Sequence, residues 1–368
     1  MRRLIFICSF LLLPWAAIAA DEPFSPTPDV VDYVATFISA EKIPERRTVH
    51  HHGAWSRIER TQGDDRTTMY SNDAIPLLIT VNPASSEYPR LTIEAGRPRL
   101  LDFGLHEHPF KLRQHDTVLG EPCDVWRLGD DLHSCVTTDG IELWKEPYDR
   151  TATTKAVALE RRTVAESDVL PPADIFNWTT WSGPVSDSVS GTKADATVTM
   201  EATGENPAQR TTRTITRRHH PWSTYESFEG EVRRRLLINN KTTGVALRVD
   251  TNSDGKLVRL WALKMREGST GRQPTPLVRL KKRPKETVLG EDCTWFLVKS
   301  GAEDERRTEC NTADGLVLKR VIEERGKITL ALTATRIERT PLSLADVSPP
   351  PSVLDPKNWG ITDLAPRQ

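Results

Sequence analysis

Short apolar stretches alternate with turn-forming residues over most of the chain, and none has the spacing of a long amphipathic helix. Tyr33–Ile38, Arg66–Tyr70, Leu77–Val81, Arg90–Ile93 and Arg99–Phe103 are rich in β-branched or aromatic residues and are separated by Gly, Pro, Asn, Asp and Ser. Turn signals at intervals of about eight to twelve residues predict antiparallel strands. Helical signals are confined to single turns that follow a proline, at Ala173–Phe176 and Leu342–Asp346. The pattern predicts a mainly β chain with few short helices.

The same pattern occurs twice. Thr117–Cys123 (TVLGEPC) returns as Thr287–Cys293 (TVLGEDC), and each copy runs on to a second cysteine, Cys135 or Cys310, and an Asp-Gly pair, Asp139-Gly140 or Asp314-Gly315. Upstream, Tyr33–Ile38, Arg47–Val49 and Trp55-Ser56 are echoed by Ala196–Met200, Arg213–Ile215 and Trp222-Ser223. Downstream, Leu170–Ala173 with Asn177-Trp178 matches Pro349–Pro351 with Asn358-Trp359. These echoes place one β domain at residues 31–178 and a second at 193–360. Residues 179–192 between them have the Ser, Gly and Thr content of a linker.

Cys123 and Cys135 are symmetric about Gly129, and Cys293 and Cys310 about Gly301-Ala302. Folding each segment back at its glycine sets the two cysteines opposite one another on an antiparallel pair, within reach of a disulfide. Closing each loop would contribute about 3 kcal/mol. A zinc site is disfavoured, because neither pair has the short C-x-x-C spacing. Asp-Gly then suits a two-residue turn with positive φ that leads into a third strand.

Residues 1–20 read as a secretory signal: Arg2 and Arg3, an apolar run from Leu4 to Leu13, and the small-x-small site Ala17–Ala19, with cleavage after Ala19 or Ala20. The expected location is the periplasm, with no membrane span in the mature chain. Cleavage removes Cys8 and leaves Cys123, Cys135, Cys293 and Cys310, one pair per repeat, as exported disulfide proteins have. Hydrophobic residues make up 37% and charged residues 27%, which fits thin cores and a sheet with one wet face. A net charge of -1 gives no reason to expect nucleic acid.

Candidate chemistry is sparse. There is no G-x-S-x-G, H-E-x-x-H, P-loop or strand-to-helix G-x-G-x-x-G, so no catalytic residue and no cofactor is expected. His50, His52, His106 and His108 are metal-ligand candidates, since each pair would share a strand face, but an exposed polar face is the favoured reading. Glu121, Asp139, Glu291 and Asp314 recur in both copies beside turns, where fixing hairpin geometry is favoured over proton transfer. Arg217-Arg218, Arg233–Arg235 and Lys281–Arg283 are basic clusters, read as solvated strand faces ahead of an anion-binding patch. The paired tryptophans Trp55/Trp222 and Trp178/Trp359 are assigned to packing.

A strand followed by Trp55–Glu59, then Arg66–Tyr70, Leu77–Val81 and the V-L-G-E-x-C hairpin resembles the LolA/LolB-like superfamily, most closely exported relatives with the same cysteine hairpin. The resemblance implies two tandem antiparallel half-barrels, each around an apolar groove that in the named carriers holds lipoprotein acyl chains. The chain departs from those carriers in its scarcity of helices and its duplication, and no carrier residue maps onto it. The leading expectation is a non-enzymatic periplasmic protein that binds a lipid, an acylated protein or another apolar ligand. A cell-envelope structural or protein-interaction module, and a metal protein using the histidines of the first copy, are the alternatives.

Overall fold

The computed structural model describes residues 31–82, 90–96, 110–128, 132–147, 153–182, 194–203, 212–240, 244–264, 277–298 and 305–365. The signal segment, His106, His108, the strand expected at Arg99–Phe103 and most of the expected linker lie outside them. Residues 179–182 of that linker belong to a short helix.

β1 (Tyr33–Ser39), β2 (Glu45–His52), β3 (Trp55–Gln62), β4 (Asp65–Asn72), β5 (Leu77–Val81) and β6 (Leu91–Ala95) form an antiparallel meander. β7 (Phe110–Val118), β8 (Glu121–Leu128), β9 (Leu132–Val136), β10 (Glu142–Pro147) and β11 (Thr154–Arg161) form a second one, and β11 returns to the free side of β1. α1 (Glu166–Val169), a 3₁₀ turn at Ala173–Phe176 and α2 (Trp178–Ser182) close the first unit.

The second unit repeats this order. β12 (Ala196–Ala202), β13 (Thr212–His219), β14 (Trp222–Glu229), β15 (Val232–Asn240), β16 (Val245–Thr251) and β17 (Leu257–Lys264) match β1 to β6. β18 (Leu277–Arg279), β19 (Glu286–Val288), β20 (Glu291–Val298), β21 (Glu305–Asn311), β22 (Val317–Glu324) and β23 (Lys327–Glu338) follow, with β23 beside β12. A 3₁₀ turn at Leu344–Val347, α3 (Pro351–Leu354) and a 3₁₀ turn at Pro356–Trp359 end the described chain.

The two units share one sheet. β6 pairs antiparallel with β17, Leu91 opposite Ala262 and Ile93 opposite Leu260, so the last strand of one meander continues into the last strand of the other. Among the described residues every named strand pairing is antiparallel and the sheet does not close on itself, as the sequence pattern predicts for a mainly β chain. The strand register aligns Tyr70, Ile79, Ile93, Leu260, Val249 and Leu236 in one row across six strands. All of them are buried. Alternation with period two keeps such a row on one face.

That face is covered by the chain segments that follow β11 and β23, residues 162–182 and 340–365. Val169, Leu170, Ile175 and Phe176 from the first, and Val347, Val353, Trp359 and Ile361 from the second, join the row in a single apolar cluster. Each cover starts over its own unit and ends over the other. α1 packs on β2 and β3, whereas α2 packs on β17 and Trp178 meets Trp222 at 5.9 Å between ring centroids. Conversely, Gly360 of the second cover lies against Ile75 of the first unit. The covers also touch, through a bridge from Pro172 to Ala365. Two smaller clusters fill the outer ends, around Cys123–Cys135 in the first unit and Cys293–Cys310 in the second.

Both disulfides form, with Cα separations of 5.4 and 5.2 Å. The register differs from the symmetric folding expected. Cys135 lies opposite Val125 and Cys310 opposite Trp295, a shift of two residues that leaves both cysteines of a pair on the same face. The repeat alignment also moves by one residue in β2. Phe37 pairs with Arg47 and Met200 with Thr214, so Arg47 corresponds to Thr214 and not to Arg213.

The turn assignments differ too. Asp139-Gly140 and Asp314-Gly315 belong to three-residue loops, Thr137 to Ile141 and Thr312 to Leu316, in which only the glycine has positive φ. The two-residue turn of the kind expected falls instead on Leu119-Gly120 and Leu289-Gly290, with φ of 56° and 81°, and 51° and 83°. Leucine has no side-chain group that favours this left-handed conformation.

Two outcomes follow. Leu260→Ala should lower stability by about 2–5 kcal/mol, and urea unfolding should remain one transition by tryptophan fluorescence, because both units share the central cluster; two separate transitions would show independent units. Leu119→Asn and Leu289→Asn should each raise stability by about 0.5–1 kcal/mol in the same assay by relieving the left-handed backbone.

Candidate functional site

Beyond the covers, β14 to β17 continue the covered face, and a cleft of about 1090 Å³ opens there at the junction of the two units. Phe228, Val232 and Leu257 of the second unit, Ile75 and Ala95 of the first, and Trp359 of the second cover supply its apolar wall. The size lies just above the range of about 300–1,000 Å³ usual for ligand pockets.

Charge in the wall is compensated. Glu226 is 8% exposed and accepts hydrogen bonds from Arg217 and, at 3.3 Å, from Arg233. At the rim Glu231 is almost fully exposed and 3.6 Å from Arg213. Lys256 and Lys357 also border the cleft, are exposed and have no ion-pair partner among the described residues.

Local turns position both lysines. The Asn252 side chain accepts from the backbone N–H of Asp254 at 3.0 Å and of Lys256 at 2.9 Å, and Gly255 takes φ of 78° to complete the turn. Asp355 caps the last 3₁₀ turn by accepting from Lys357 N–H at 3.0 Å, and Gly360 ends it with φ of 78°. Trp359 is held from behind by its Nε1–H bond to the Val353 carbonyl at 3.0 Å.

Of the four candidate histidines, His50 and His52 are among the described residues, and each has a local setting. His52 Nδ1 lies 2.8 Å from Asp32 Oδ2, which also accepts from Val164 N–H at 3.1 Å. The second unit repeats the arrangement with His219, Asp195 and Leu342 N–H, the last at 2.7 Å. Each Asp–His pair thus pins the start of a cover to the sheet. His50 sits opposite Val34 and Arg57 on the covered side, where burial lowers its pKa. His51 is buried and stacks on Tyr33 at 5.1 Å, and its burial lowers its pKa. Among the described residues no group of three His, Cys, Asp or Glu side chains could hold a metal ion.

The recurrent carboxylates serve geometry, with partners the sequence reading missed. Arg161, ending β11, donates to Asp139 at 2.8 Å and to Glu121 at 2.9 Å. Arg339, just past β23, donates to Glu291 at 2.6 Å and to Asp314 at 2.9 Å. The signal was the Glu-Arg pair, Glu160-Arg161 and Glu338-Arg339, at the end of the last strand of each repeat. The arginines of the basic clusters are similarly occupied: Arg218 bonds the Ala194 carbonyl and Asp314, Arg234 pairs with Glu229, Arg235 with Asp250, and Arg283 lies over the Trp295 ring, while Lys281 and Lys282 are exposed.

No family model and no curated protein matches the chain. Among solved structures, one described as "Structure of PNGF-II in C2 space group" aligns over 84% of this chain and 92% of that one, with 8% identity and a TM-score of 0.30. A likeness at that level carries no argument about fold or chemistry.

Asp314 should set part of the acid limb of stability. Hydrogen bonds from Arg339, opposed by burial and reinforced by Thr312 and Arg218, hold its carboxyl well below the usual 3.8. Because the folded value is depressed, its contribution is full above about pH 4 and is lost as pH falls through the folded value. Asp314→Asn should cost about 1–2 kcal/mol at pH 7, and its urea midpoint should fall less steeply than that of the wild type below pH 4.

Proposed function

We propose that the protein is a non-catalytic binding protein of the cell envelope, exported to the periplasm, that holds an apolar ligand in the cleft between its two units. The observation that carries this reading is the apolar wall of Phe228, Val232, Leu257, Ile75 and Trp359, which continues the buried central face to the surface and, among the described residues, has no segment lying across it. The two disulfides agree with an oxidising compartment. Among the described residues no helix is long and apolar enough to cross a membrane.

The LolA/LolB-like resemblance points to the same class of ligand, with a difference of place. In this chain the apolar face of the central sheet is packed by its own covers, so a ligand is confined to the cleft. A second reading, a protein-interaction module, is favoured by Leu119 and Leu289, which are 51% and 56% exposed at the same turn in both units.

Native mass spectrometry of the mature protein purified from the periplasm, followed by denaturing analysis of what it releases, separates the two. The binding reading expects a co-purifying lipid or fatty acid that is lost in Phe228→Asp while the far-ultraviolet circular dichroism is unchanged. A clean apo mass for the wild type would sink it in favour of the interaction module.

A further inference from the structure

We infer that the ligand of the cleft is an amphiphile with an anionic head, a carboxylate or a phosphomonoester, whose head is read by Lys256 and Lys357. The inference rests on the binding reading and adds the head-group chemistry to it. Among the described residues five charged ones border the cleft: Glu226, Glu231, Arg233, Lys256 and Lys357. Glu226 and Arg233 neutralise one another, with Arg217 on the second carboxylate oxygen, and Glu231 points to water beside Arg213. Among the described residues the two lysines are left as cations without a carboxylate, one from the turn before β17 and one from the turn before Gly360.

These two turns belong to different parts of the chain, the second sheet and the second cover, yet each is fixed by its own side-chain cap, Asn252 or Asp355. An ammonium on a flexible stem can follow a head group at the rim while the chain lies against Phe228 and Trp359. A cationic head would meet two unpaired positive charges, and a neutral one would leave them unused.

Calorimetric titration with decanoate, decyl phosphate, decanol and decyltrimethylammonium, all below their micelle concentrations and at low salt, tests the assignment. Decanoate or decyl phosphate should bind about tenfold more tightly than decanol, the cation should bind more weakly still, and the preference should shrink at high salt. The double variant Lys256→Glu with Lys357→Glu should abolish the preference and keep decanol binding, and Lys256→Arg with Lys357→Arg should retain it. Which of the two anions binds better tells a carboxylate from a phosphate head. Equal binding of decanoate, decyl phosphate and decanol, all lost in Phe228→Asp, would overturn the head-group inference and leave the binding reading standing. No binding by any of the four, or binding indifferent to Phe228→Asp, would overturn both.

Discussion

The pairing of β6 with β17 is the contact on which the rest of the molecule depends. Each of these strands ends a meander and would otherwise expose a row of unpaired backbone groups, an edge that proteins must cover or pair. Joined, they carry a buried apolar row from Tyr70 to Leu236 without a break, and the face so formed is wide enough to need both covers. Neither cover could reach across the junction if the strands lay apart. The cleft exists for the same reason, since its wall takes residues from both sides of the seam and from the second cover.

Period-two alternation and turn residues were enough to read the mainly β character, the repeat and the pairing of the cysteines. Leu77–Val81 and Ala173–Phe176 fall where the pattern placed them. What could not be read was register finer than face. A shift of two residues moves Cys123 along its strand without turning it to the other side, so the pattern is blind to it. The turn at Leu119-Gly120 was hidden because leucine seldom takes positive φ, whereas Asp-Gly advertised a turn of another length.

The cleft left still less trace in the sequence. Its residues come from Ile75, Phe228, Lys256 and Trp359, which are far apart along the chain and share no motif. The conspicuous runs along the chain include His52, His219 and the arginine clusters, and in the structure these have partners. Arg218 is buried on backbone carbonyls and Asp314, and His52 and His219 each hold an aspartate that fastens a cover. The two lysines of the rim look like any solvated lysine until the fold sets them at one opening.

The seam has a further property. Thr92 faces Trp261, and about that pair the contacts exchange: Leu91 meets Ala262 and Ile93 meets Leu260, while the strand register makes Leu91 the counterpart of Leu260 and Ile93 that of Ala262. This is the geometry of an isologous dimer, written into one chain. Joining the two halves covalently replaces a concentration-dependent association by an intramolecular one, so the assembly persists under dilution. It also removes the rule that both sides of a twofold carry the same residue. Tyr33 and His51 stack in one half where Ala196 and Arg218 stand in the other, and Trp144 bonds Asp116 where Lys319 bonds Glu286. A symmetric pair of chains would have to solve each of those positions identically on both sides, and would present two equal clefts. The fused chain is free to make them differ.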